Sequence, residues 1–262
     1  MYIYYFQHGL GQKRSGIEET ILKLYLHYNY SSKILIPNFG NIKKNLSVLY
    51  NFNKKAINNK ERVINVGGDH SMAIATVAAS LDKYGQELKV LWFDAHADIN
   101  TQESSATKNL HGMPLAFLTD LEKDDNVFSQ IETPLLFENL YYIGIRDLDQ
   151  FESDIIREKN IKYVSCTDFN NSDCSSDLLK WVSSTPVHIS FDVDCLDPTL
   201  MPCTGTTSPN GLSLERVLHT LEILHKNCNV VNFDLVELNL SIKPSLQNIS
   251  IENFTKILST II

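Results

Sequence analysis

Short runs rich in β-branched and aromatic residues recur along this chain, with helical spacing between them, and that alternation narrows the folds open to it. The runs are YIYYF near the start, KILIP from Lys33, RVINV from Arg62, KVLWF from Lys89, LYYIGI from Leu140, VHISFDVD from Val187 and NVVNFDLVEL from Asn229. Each reads as a buried strand. Helical spacing occupies Gly16 to Tyr28, Ser71 to Tyr84, Gln150 to Lys159, Ser175 to Ser183 and Leu212 to Lys226. Strand and helix in alternation predict an α/β fold: a mostly parallel sheet with helices on both faces, its functional groups where strands end and loops begin. The Asn- and Lys-rich stretch from Asn38 to Lys60 reads as a solvated helix and loop. No repeat or Pro/Gly/Ser-rich linker divides the 262 residues, so one domain over 1–262 is expected.

Composition bears mainly on partners and compartment. Lys and Arg number 23 against 31 Asp and Glu, a formal net charge of −8 with the signs scattered, which argues against a nucleic-acid or anionic-membrane surface and is compatible with cationic small molecules. The five cysteines are odd in number and contain no C-x-x-C pair, and the N-terminal residues lack the basic-then-apolar layout of a signal peptide. A reducing cytoplasmic setting is expected. No apolar run approaches the roughly 20 residues that a membrane helix needs.

Two of the strands run straight into acid. Lys89 to Phe93 leads into Asp94-Ala95-His96-Ala97-Asp98, and Val187 to Phe191 leads into Asp192-Val193-Asp194. Carboxylates at buried strand ends are costly to desolvate and repel one another, so a positive partner is required between them. A third strand, Arg62 to Val66, ends in Gly67-Gly68-Asp69-His70, where the glycines permit a tight turn that aims His70 above the sheet. Alone, a histidine after a glycine turn is most often a helix-start residue, and a lone D-x-D is usually a surface loop. Together they supply four carboxylates and two imidazoles, which suit two divalent ions sharing bridging carboxylates. Oxygen-rich ligation favours manganese over zinc. Cys195, beside Asp194, points across the strand from its neighbours and is expected to pack in the core.

These segments resemble the ureohydrolase family, its arginase members most closely. Gly67 to Ser71, Asp94 to Asp98, and Ser190 to Asp194 with Asp197-Pro198 are similar to that family's three metal signatures. Gly11 to Glu19 resembles the N-terminal segment, and Phe233 to Asn239 the closing motif. The resemblance implies a three-layer α/β/α fold with a sheet of about eight strands, two manganese(II) ions per subunit, and hydrolysis of L-arginine to L-ornithine and urea by a hydroxide that bridges the metals. It implies one ion on His70, Asp94, Asp98 and Asp192 and the other on His96, Asp94, Asp192 and Asp194. Asp98 would pass a proton to the leaving amine, His111 would shuttle protons to bulk water, and Glu237 would orient the guanidinium.

Arginine differs from agmatine by its α-carboxylate, so donors for that group set specificity. By resemblance Asn100, Thr107 and Asn109 would bind the carboxylate, Asp149 and Glu152 the ammonium, and Thr206 would complete the substrate site. Asp149 and Glu152 also suit ordinary first-turn acids of a helix. Thr107 stands where arginases commonly have Ser, Lys108 where Gly is common, and Leu240 where Pro usually follows Asn239. Other readings are an agmatinase, another ureohydrolase, or a non-catalytic binding relative. The family suggests a homo-oligomer, with a trimer favoured.

Overall fold

The computed structural model describes all 262 residues. Strands β1 (Tyr2–Phe6), β2 (Lys33–Ile36), β3 (Val63–Val66), β4 (Lys89–Phe93), β5 (Leu140–Ile143), β6 (Lys162–Val164), β7 (Pro186–Asp192) and β8 (Asn229–Val236) form one sheet in the order β2-β1-β3-β8-β7-β4-β5-β6. Every pairing within it is parallel. The connecting helices are α1 (Ile17–His27), α2 (Ile42–Asn58), α3 (Ala73–Tyr84), α4 (Pro114–Leu118), α5 (Gln150–Glu158), α6 (Cys166–Asn171), α7 (Ser175–Val182), α8 (Leu214–Asn227) and α9 (Gln247–Ile261).

The period-2 alternation of strand side chains splits the interior into two cores, one per face. Val90 and Trp92 of β4 join α2, α3 and α5 in one cluster of 37 buried residues. Leu91 and Phe93 join α1, α7, α8 and α9 in another of 35, which makes the three layers expected for this alternation. The four middle strands are β3, β8, β7 and β4. Chain-consecutive β3 and β4 are therefore parted by two strands made much later, and their C-terminal ends flank the crevice where such sheets bind ligands.

Five segments depart from the sequence reading, the short helices α4 and α6 among them. Strand β6 is new: only three residues long, at the sheet edge, with Lys162 and Tyr163 exposed, it carries no apolar run. Helix α9 is also new. The Asn38 to Lys60 stretch is not simply solvated, because α2 lays Leu46, Leu49, Tyr50, Ala56 and Ile57 into the core. Its buried Asn53 enters a polar network between α2, α3 and the sheet. Asn65 of β3 donates to Asn232 and Asp234 of β8 at 2.8 Å each, Thr76 of α3 donates to Asp234 at 2.5 Å, and His188 of β7 pairs with Asp234 at 3.0 Å and with Ser80 at 3.0 Å.

Candidate metal centre

The turn after β3 requires glycine at 68, where the clash is with backbone, and favours it at 67, where the clash is with a side chain. A Cβ on Gly68 would sit 1.4 Å from the His8 carbonyl oxygen, and one on Gly67 would sit 1.7 Å from Met72 Sδ. Asp69 then caps a single 3-10 turn by accepting from the Ser71 N–H, which fixes His70 at the sheet's C-terminal edge. The His70 ring stacks on Trp92, with centroids 4.2 Å apart, and its Nε2 meets Ser190 Oγ at 2.8 Å. Its Nδ1 therefore faces inward, 3.0 Å from Asp98, 3.2 Å from Asp94 and 3.4 Å from Asp192.

A second group shares Asp94. His96 Nδ1 lies 3.2 Å from Asp194 and 3.3 Å from the other Asp94 oxygen. Asp94 is held by the Trp92 indole N–H at 2.9 Å and the His96 N–H at 2.8 Å, and Asp192 accepts from the Asp194 N–H at 2.8 Å. Asp98 is reached through a left-handed backbone turn, φ +50°, which lets the chain leave the pleat and bring Asp94, His96 and Asp98 together.

Electrostatics and donor chemistry fit a divalent cation at each group. Burial opposes charge on His70, yet the carboxylates of Asp192, Asp94 and Asp98 hold its pKa well above the imidazole range. The same competition, led by Asp194, raises His96. Burial and neighbouring acids push Asp192 well above the carboxylate range and Asp98 up to about 6, whereas the two histidines overcome burial to depress Asp94. Acceptors outnumber donors here. His70 Nδ1 is buried without a hydrogen-bond partner and points at three carboxylates, as an imidazole ligand would, with its other nitrogen oriented by Ser190. Cys195 is buried in the core and joins neither group.

Above the centre opens a polar cavity of about 490 Å³ with Ala106 as its one hydrophobic wall residue. His96, Asp98, Asp192, Asp194, His111 and Glu237 line its floor and sides together with Asn100, Thr107, Asn109, Asp149, Glu152 and Thr206, so the structure brings every expected substrate residue to one space. His70 and Asp94 lie beneath it, fully buried. Glu237 leaves β8 at φ +67° and accepts from the His70 N–H at 2.8 Å and the Gln12 amide at 2.9 Å, and it meets His111 Nδ1 at 3.1 Å. Against the cost of burial, His111 keeps the Glu237 pKa low, and Glu237 in turn raises His111 to about 9.

Asp149 and Glu152 do form a capping box at the start of α5, the helix-start alternative, while still facing the cavity. Asp149 also accepts from Asn100 at 2.7 Å. Burial, then the charges of Asp98 and Asp149, raise the Glu152 carboxyl to about 8. Lys108 adopts the left-handed conformation, φ +60°, and its ammonium folds back onto the Gln102 and Glu103 carbonyls. Leu240 uses the N–H that proline lacks, donating to Thr20 Oγ1 at 3.0 Å. Sequence reading gave no role to Gln12, Lys13, Arg14, Ser105 or Asp147, which also line the cavity. The first three lie in the Gly11 to Glu19 segment, whose resemblance marked the stretch without marking a contact.

The fold and the inward-facing His and Asp donors define an α/β/α protein whose crevice carries a candidate metal site. A family model described as the arginase family matches residues 14–261, and the chain belongs to that family. It is similar to the arginase of Coccidioides posadasii, 42% identical over 189 residues, 68% of this chain and 59% of that protein. The Staphylococcus aureus arginase is 38% identical over 196 residues, 70% of this chain and 62% of that protein. These matches thus span about three fifths of the relatives' length. Among solved structures, Bacillus subtilis arginase superposes with a TM-score of 0.87 at 26% identity, covering 100% of this chain and 97% of that one. Entamoeba histolytica arginase in complex with L-ornithine gives 0.83 at 27% identity, covering 99% and 96%.

Proposed function

We propose that this chain hydrolyses L-arginine to L-ornithine and urea. Two manganese(II) ions would be held, one by His70, Asp94, Asp98 and Asp192, the other by His96, Asp94, Asp192 and Asp194. The observation that carries the reading is the pair of His/Asp groups that share Asp94 at the floor of a polar cavity. Bound there, the ions would supply Lewis acidity that brings water's pKa from about 15.7 towards neutrality.

The chain's own residues do the rest. Glu237, kept anionic and aimed by Gln12 and the His70 N–H, draws the guanidinium to the floor. Asp98 accepts a proton there and delivers it to the leaving amine nitrogen. His111, at the cavity wall on Glu237, exchanges protons with solvent. Asn100, Thr107 and Asn109 donate to the α-carboxylate, Asp149 and Glu152 receive the α-ammonium, and Thr206 closes the rim. The ornithine named for the Entamoeba structure has the same amino-acid end that this arrangement would hold. In this proposal residues 1–262 act as one catalytic domain in a reducing cytoplasm, as a homo-oligomer with a trimer favoured.

A steady-state urea assay over a panel of guanidines, with manganese added or chelated, tests the reading. Arginine should be turned over only with metal. Asn100→Ala should raise KM for arginine and leave agmatine, if used at all, unchanged. Urea from agmatine but not arginine would replace the proposal with an agmatinase.

A further inference from the structure

We propose that Arg146 is a positioning residue that clamps together the two metal-bearing turns after β4 and β7, and so sets the geometry of the Asp94, His96 and Asp194 group. The proposal rests on the two-cation reading above. An arginine beside an acidic centre ordinarily pairs with a carboxylate, yet every oxygen to which Arg146 donates is a main-chain carbonyl. Its Nη2 donates to Asp194 at 2.8 Å, Ser208 at 2.9 Å and Leu196 at 3.4 Å. Its Nη1 donates to Gly144 at 3.0 Å and Cys195 at 3.2 Å, and its Nε donates to Pro209 at 3.1 Å. All three guanidinium nitrogens are thus engaged, on three separate segments.

The same residue grips the other turn with its backbone. The N–H groups of Arg146 and Asp147 both donate to the carbonyl of Ala95, at 2.8 and 3.0 Å, and Ala95 lies between Asp94 and His96. Ala95 N–H donates in turn to Asp194 Oδ1 at 3.2 Å, closing the bracket. The Asp94, His96 and Asp194 group takes every ligand from these two turns, whereas His70 enters the other group from the turn after β3. Loss of the planar fork should therefore loosen one group selectively.

The test is Arg146→Lys, which keeps the charge but replaces a fixed fork by a point donor, with Arg146→Gln as a second variant. In chelator-treated protein, hydrogen exchange at the Ala95, Asp194 and Leu196 amides should quicken at least tenfold, with β1 unchanged. In manganese titrations read by the signal of free Mn²⁺, one of the two ions should lose about 10–100-fold in affinity, as for other outer-shell partners, while the other keeps its own. Unchanged exchange, or equal weakening of both ions, overturns the proposal. Failure of both variants to fold overturns it too, because Arg146 would then be a general brace. Wild-type protein that binds fewer than two ions refutes the two-cation reading instead, and the exchange result alone then decides Arg146.

Discussion

Strands β7 and β8 carry one buried His/Asp cluster midway along them, the turns after β3, β4 and β7 carry another of the same residue types, and the two have opposite character. In the first, His188 and Asp234 sit in a closed network: Asp234 receives Thr76, Asn65 and His188, and His188 has Ser80 on its other nitrogen. At the strand ends, Asp192, Asp194, Asp94 and Asp98 face two imidazoles that cannot satisfy them, and His70 Nδ1 has no partner. Burial and residue identity do not distinguish structure from site. The balance of donors to acceptors does, since a satisfied buried charge stiffens a fold and a surplus of buried acceptors needs a cation.

The largest effect expected from this contrast is on turnover. Asp192→Asn should lower urea release by about 10²–10³-fold, the several kcal/mol expected of metal catalysis. Yet chelated protein should melt no lower than wild type, because a carboxyl that burial and like charges hold far above its usual pKa loses nothing as an amide. A melting temperature several degrees lower would break the comparison. Asp234→Ala should do the reverse, costing about 3–5 kcal/mol in urea unfolding because His188 and Asn65 lose a buried partner, while the folded fraction keeps its metal content. An unfolding free energy within about 1 kcal/mol of wild type would show the network to be expendable.

A smaller effect sharpens the picture on the cavity wall. Glu152 titrates near 8 in the folded chain against an ordinary 4.5, so its stabilising contribution is complete below pH 4.5 and is lost as pH rises through 8. Glu152→Gln preserves an acceptor for the Asp149 N–H. The melting temperature of chelated variant should therefore fall less between pH 5 and 8 than that of wild type, and parallel curves would refute the assignment. The smallest expected change is at Lys108. Glycine there relieves about 1 kcal/mol of left-handed strain, partly offset by its chain entropy. KM for arginine should move less than twofold, because the ammonium is docked on the loop's own carbonyls. A larger rise would put the lysine at the substrate carboxylate.

What the sequence made legible follows the same division. Asp94, Asp192 and His70 stood out because ligand-type residues directly follow apolar strands, where a bland explanation fails. Asp234 and His188, equally buried, lie inside apolar runs and gave no sign of their network, since nothing local names a partner on α3 or β3. Strand β6 escaped notice because two of its three residues face solvent. Helix α2 was misjudged because Asn45 and Asn53, polar on paper, are buried on its core face. The capping box of Asp149 and Glu152 was readable as spacing, but its second face, towards the cavity, depends on where the sheet sets α5. Arg146 was invisible as a clamp, since its oxygen partners are main-chain carbonyls, which leave no imprint on residue type.

The strand order carries a consequence for biogenesis. Strand β3 touches β7 only through β8, the last strand to be synthesised, so His70 cannot settle against Asp192 until residues 229–236 have left the ribosome and threaded the middle of the sheet. A nascent chain thus displays its acids long before it owns a pocket, and the cation capture proposed above would be a late event that reports completed assembly.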